Sequence, residues 1–123
     1  MRHLLITVNE IEFKAKLLDT PTANAIYNVL PINSKVNKWG DELYFEIPVS
    51  MNEEATAKEE VEVGDLAFWP IGSAFCIFFG RTPVSAGKKP RAYSPVNVFG
   101  KIEGNLDVLR QVKPNSLVQV KAL

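Results

Sequence analysis

Apolar and polar positions alternate in several stretches of this chain, which is the period of a β-strand with one wet face. Ile11, Phe13 and Ala15 alternate with Glu12, Lys14 and Lys16, and Leu4 to Val8 lies just across the two-residue link Asn9-Glu10, so a hairpin is expected. The spacing changes after Asp19. Thr20 supplies a capping hydroxyl, Pro21 suits a first helical position, and Ala23, Ile26, Tyr27 and Leu30 recur at helical spacing. This predicts a helix of about three turns, stopped by Pro31 because the residue before a proline is pushed out of the helical region.

Ile32 to Val36 reads as extended and Trp39-Gly40-Asp41 as a turn. Leu43, Phe45 and Ile47 then alternate with Glu42, Tyr44 and Glu46 until Pro48. Two nearly continuous apolar runs, Leu66 to Pro70 and Ala74 to Phe79, are bounded by Gly64-Asp65 and Gly72-Ser73, which predicts strands in the densest part of the core. Arg81 to Pro95 carries Pro83, Gly87 and the basic string Lys88-Lys89-Pro90-Arg91, and reads as one long loop of the kind that often has a function. Val96, Val98 and Ile102 resume strand character, Asn105 caps a short helix with Leu106, Leu109 and Val112 on one face, and Leu117 to Val120 forms a last strand. The expected fold is therefore mainly β, a closed β-barrel of about eight short strands with two short capping helices, since closure removes exposed edges.

Composition narrows the function. The 123 residues are 46% hydrophobic and 23% charged, which fits a single domain over residues 1–123 and leaves no room for a second. Lys plus Arg count 14 and Asp plus Glu count 14, so no net field draws nucleic acid or anionic lipid, and neither partner is expected. The zero sum conceals an asymmetry: residues 52–62 hold five glutamates and one lysine, a solvated loop or edge, and they are placed to attract the basic string near Lys88. The run Met1 to Val8 is too short, and too soon broken by Asn9-Glu10, for a signal peptide or a membrane span, so a cytoplasmic protein is expected. The oligomeric state stays open.

Candidate chemistry is sparse. One histidine, His3, and one cysteine, Cys76, cannot assemble a structural zinc site, and no metal or cofactor is expected. Cys76 lies between Phe75 and Ile77, where desolvation suppresses the thiolate, so it reads as a packed thiol. Gly80 and Gly87 are spaced too widely for a phosphate-binding P-loop, and Ser85-Ala86-Gly87-Lys88 matches a hydrolase pattern only by coincidence, because Gly87 and Pro90 argue against the helix that chemistry needs. Carboxylates and aromatic rings remain as the working groups.

Several segments, in order, carry a family resemblance. Cys76-Ile77-Phe78-Phe79 followed by Arg81-Thr82-Pro83, and then Val98-Phe99-Gly100-Lys101-Ile102-Glu103-Gly104, resembles the cyclophilin family. Leu106-Asp107-Val108-Leu109 falls where those proteins carry a short helix. More closely, Trp39-Gly40-Asp41-Glu42, Tyr44-Phe45, Gly64-Asp65, Trp69-Pro70 and Phe78-Phe79-Gly80-x-Thr82-Pro83 are similar to a family of small prokaryotic cyclophilin-like proteins of undefined function. The resemblance spans essentially the whole chain and implies an eight-stranded barrel capped by two helices. It also implies a position for the arginine with which cyclophilins catalyse prolyl isomerisation, and Glu46 stands there. A carboxylate cannot donate the hydrogen bond that arginine supplies. Phe79 matches the pocket phenylalanine, whereas the family's loop tryptophan and histidine are missing, Val96 standing near the histidine's place.

A ligand groove beside Phe79 is the resulting expectation, with Tyr44, Trp69 and Phe79 as aromatic area and Glu42, Glu46, Thr82, Ser85 and Asn97 as polar contacts. The leading expectation is a binding protein for a peptide or small ligand without efficient prolyl isomerase activity. Cyclophilin-like barrels also occur in amide-hydrolysing assemblies, so the resemblance also implies an alternative: an enzyme or subunit acting on a small amide or lactam, with Glu46 or Glu42 as acid or base. A weak peptidyl-prolyl isomerase and a subunit contributing only an interface are the remaining alternatives.

Overall fold

The computed structural model describes residues 2–123. Strands β1 (His3–Val8) and β2 (Ile11–Leu17) form the expected hairpin, closing at the Val8–Ile11 pair. Asn9 and Glu10 both take positive φ, 49° and 72°, which lets a two-residue turn follow the right-handed twist of its strands. Helix α1 (Pro21–Asn28) starts where Thr20 accepts a hydrogen bond from the Ala23 N–H at 3.1 Å, and it buries Thr22, Ala23 and Ile26. It is a turn shorter than the spacing predicts, with Leu30 outside it.

The chain continues through β3 (Ile32–Lys35), β4 (Asn37–Lys38), β5 (Glu42–Glu46), β6 (Lys58–Glu60), β7 (Asp65–Trp69), β8 (Ala74–Phe78) and β9 (Arg91–Ile102). A 3-10 helix at Leu106–Gln111, capped by the Asn105 side chain, then leads into β10 (Leu117–Ala122). The antiparallel order is β3-β10-β1-β2-β9-β7-β8-β5-β4, with β6 added beside β9.

The expected closed eight-stranded barrel does not form. Ten strands make one sheet whose end strands, β3 and β4, are not hydrogen-bonded to each other. The two ends are halves of one extended stretch that changes partner: β3 pairs with β10 and β4 with β5. Between them Val36 donates to the Ser116 carbonyl at 2.9 Å and accepts from the Asn115 N–H at 2.8 Å. The curled sheet is bridged there by the covalent chain.

The larger core cluster includes Leu43, Phe45, Phe75, Phe79 and Phe99, with Phe45 and Phe75 stacked at 4.9 Å. A smaller cluster of Val61, Ala67, Ala74, Cys76, Phe78, Ala92 and Val96 covers the other face of β7 and β8. Burial on both faces is why those strands read as unbroken apolar runs. The covering chain comes from two segments, one that the sequence reads as a long loop and one that it reads as a solvated loop or edge. Arg91 to Pro95 is the first part of β9, and β6, from the acidic stretch, pairs with it through Glu60–Arg91 and Lys58–Val96. An irregularity in this ladder accommodates Pro95, which has no N–H to give. The acidic and basic segments meet as expected, in the ion pairs Glu59–Arg91 at 2.7 Å and Glu62–Lys89 at 2.8 Å.

Candidate functional site

The site begins at the β4–β5 hairpin. Trp39 donates to the Glu42 carbonyl at 2.9 Å and Glu42 donates back to the Trp39 carbonyl at 3.2 Å, so these residues are paired directly across a two-residue loop. Gly40 fills the first loop position with φ +59°, the conformation that favours glycine in this kind of tight turn. A Cβ at Gly40 would lie 2.8 Å from the Pro83 Cδ and 2.9 Å from the Thr82 Cα, so the close approach demands glycine as well. Paired residues project to one face of a sheet, which sets the Trp39 and Glu42 side chains next to each other.

Strand alternation then sorts β5. Leu43 and Phe45 enter the larger core, while Glu42 and Tyr44 face the smaller cluster. The pairing of Tyr44 with Cys76 brings the thiol onto the same face from β8. Trp69, at the end of β7, is held in place: its indole N–H donates to the Ser94 hydroxyl at 2.6 Å, and its ring lies where a Cβ at Gly72 would come within 2.5 Å. Tyr93 completes the wall, edge-to-face with Trp39 at 6.2 Å and 72° and with Trp69 at 6.1 Å and 81°. Together with Ala92 and Val96 these residues line a partly open cavity of about 190 Å³.

Among the described residues Glu42 is the only charged one lining the cavity, and it is 6% exposed. Burial raises its pKa from 4.5 to about 7, and hydrogen bonding with the Cys76 thiol offsets this only in part. The thiol is pushed well above its ordinary value, by burial first and by the neighbouring carboxylate second. A carboxyl group with a pKa near neutrality can both accept and donate a proton, while the thiol stays protonated and inert.

Of the residues expected in a groove, the structure brings together Glu42, Tyr44 and Trp69. Glu46 shares their strand face but stands four residues beyond Glu42 along β5, about 13 Å from it by strand rise, and is exposed. Phe79 is 2% exposed and packs in the larger core, with the Arg110 guanidinium over its ring at 5.9 Å. Thr82 and Ser85 shape the loop between β8 and β9: the Thr82 hydroxyl bonds to the Arg91 carbonyl, and Ser85 accepts from the Thr82 N–H and donates to the Lys89 carbonyl, each at 2.9 Å. Asn97 is fully buried and clips α1 to the acidic segment, donating to the Thr22 hydroxyl at 3.1 Å and the Asn52 carbonyl at 3.0 Å and accepting from the Glu54 N–H at 2.8 Å.

Sequence reasoning missed Trp39, Cys76, Ala92, Tyr93 and Val96 as lining residues. The available signal was the reciprocal spacing of Trp39 and Glu42 around Gly40-Asp41, and a tyrosine in a segment marked as a possible functional loop. Among the described residues, no three His, Cys, Asp or Glu side chains converge as metal ligands, and no helix is long and apolar enough to cross a membrane.

The curled antiparallel sheet that carries this pocket places the chain in a known fold class. The family model described as Cyclophilin-like matches residues 2–121, and the chain belongs to that family. It is similar to the hypothetical protein AF2241 from Archaeoglobus fulgidus, whose solution structure is 38% identical with a TM-score of 0.82, covering 99% of this chain and 95% of that one. It is also similar in fold to McbB, solved in complex with tryptophan, at 17% identity and a TM-score of 0.65; the match covers 96% of this chain and 44% of McbB. No curated protein matches the chain.

Proposed function

We propose that this protein binds a small organic molecule in the pocket between Trp39 and Tyr93, and that Glu42 exchanges a proton with it. The observation that carries this reading is a buried carboxyl group, with a pKa of about 7, at the wall of a cavity otherwise lined by aromatic and apolar side chains and a thiol. A group poised at neutrality is what general acid–base chemistry requires, and the fixed rings around it offer preorganised contact. This keeps the acid–base role expected of a glutamate and assigns it to Glu42 rather than the exposed Glu46. McbB, alike in fold, is an instance of a protein solved with a small molecule, tryptophan.

A peptide groove at Phe79, with or without prolyl isomerisation, has less support, because that side chain is 2% exposed and packed in the larger core. Screening small amines, amides and lactams by thermal shift tests the proposal. A ligand at a hundredfold excess over its Kd stabilises by about 2.7 kcal/mol, a shift of several degrees in a domain of this size. At least one compound should stabilise the wild type and lose that effect in Glu42→Gln. Hits that stabilise both proteins equally would place the binding elsewhere and overturn the reading.

A further inference from the structure

The chemistry of the pocket walls narrows the ligand class. Trp39 and Trp69 each meet the Tyr93 ring nearly at right angles, and Tyr44 adds a fourth aromatic ring to the lining. Aromatic rings gathered on the walls of one cavity are the setting in which organic cations are recognised, by attraction to the ring π-systems. Among the described residues no lysine, arginine or histidine lines the cavity to neutralise an anion, whereas Glu42 supplies a negative charge on deprotonation. The volume sets the scale: about 190 Å³ is slightly more than an apolar cavity of ~150 Å³ that holds benzene, so a head group of about six to eight non-hydrogen atoms fits.

We propose that the pocket recognises a small organic ammonium, with Glu42 as its counter-ion and Trp39, Trp69 and Tyr93 as the cation-binding walls. This rests on the small-molecule reading of the Glu42 pocket and adds the charge of the ligand to it. A neutral ligand is compatible with protonated Glu42, whereas an ammonium favours the carboxylate and repays its desolvation by pairing with it. Binding is therefore linked to the proton on Glu42. The other titratable groups facing it are Tyr44 on β5, Cys76 on β8 and Tyr93 on β9; burial pushes the Cys76 thiol well above its ordinary value, and the linkage near pH 7 is assigned to Glu42.

Titration calorimetry of the full chain with choline and with its uncharged isostere 3,3-dimethylbutan-1-ol tests the proposal. Choline should bind at least about tenfold more tightly than the alcohol, as expected for desolvated cation–π contacts added to an ion pair. Its affinity should rise with pH through about 7, because choline has no ammonium proton to lose and the protein must release one. Glu42→Gln should abolish the pH dependence and reduce the preference to what the aromatic walls alone supply. Tyr93→Leu, at a position 70% exposed where folding is not at stake, should reduce the preference while leaving the pH dependence. A short peptide carrying trimethyllysine, run alongside, distinguishes a chain-borne head group from a free one, and binding of either above the alcohol supports the ammonium. Equal binding of choline and the alcohol would overturn the cationic ligand while leaving the small-molecule site standing. Failure of choline and the peptide to bind a folded protein would overturn the ammonium inference, and the broader reading would then stand or fall on the thermal-shift screen.

Discussion

Trp39 and Glu42 exchange backbone hydrogen bonds across Gly40-Asp41, at 2.9 and 3.2 Å, and this one pairing sets an aromatic wall beside the only charged residue of the pocket. The turn depends on Gly40 twice, through its positive φ and through the backbone of Thr82 packed against it. Gly40→Ala is expected to destabilise the protein by about 1–3 kcal/mol, combining left-handed strain with displaced backbone. It should also change the tryptophan fluorescence as Trp39 leaves its place. Chemical denaturation followed by fluorescence measures both effects at once.

Burial of Glu42 has a stability cost with a definite sign. The folded state holds its proton up to about pH 7, whereas the unfolded chain releases it near 4.5, so between those values the unfolded state binds fewer protons and stability falls as pH rises. The full difference, about 2.5 pH units, corresponds to about 3 kcal/mol. Glu42→Gln is expected to remove this dependence. The wild type should lose stability relative to the variant from about pH 4.5 to about 7, with a level difference above that range. Urea midpoints of the two proteins at a series of pH values check it.

Asn97 makes a contrasting prediction, because its amide satisfies three partners on α1 and the acidic segment and lines no part of the Glu42 pocket. Asn97→Ala leaves the Glu54 N–H and the Asn52 carbonyl without this partner, and about 2–4 kcal/mol of stability should be lost. Ligand binding by the folded fraction should be unchanged. Denaturation and calorimetry on the same sample separate the two effects.

Much of the fold was legible because its signals are local. Asn9-Glu10 sits between two strand patterns, Thr20-Pro21 opens α1, and the unbroken apolar runs of β7 and β8 announce burial on both faces. What the sequence does not carry is which segments cover a face. Arg91 to Pro95 lacks any period because its ladder with β6 is irregular, so Tyr93 reads as a loop residue until β6 pairs beside it. Closure failed for a related reason: the sequence shows Ile32 to Val36 as one extended run, and only the tertiary arrangement decides that this stretch continues to Lys38 and divides between two partners. The candidate site was half legible. Glu42, Tyr44 and Trp69 sit on predicted strands, while the resemblance drew attention to Glu46 and Phe79, one beyond the pocket and the other inside the core.

The most direct test follows the carboxyl carbon of Glu42 by NMR as pH is varied, with Glu42→Gln to assign the signal. A midpoint near 7, shifting downward when choline binds, is the predicted result. A midpoint near 4.5, unmoved by choline, would contradict a buried acid–base group at the heart of a cation-binding pocket.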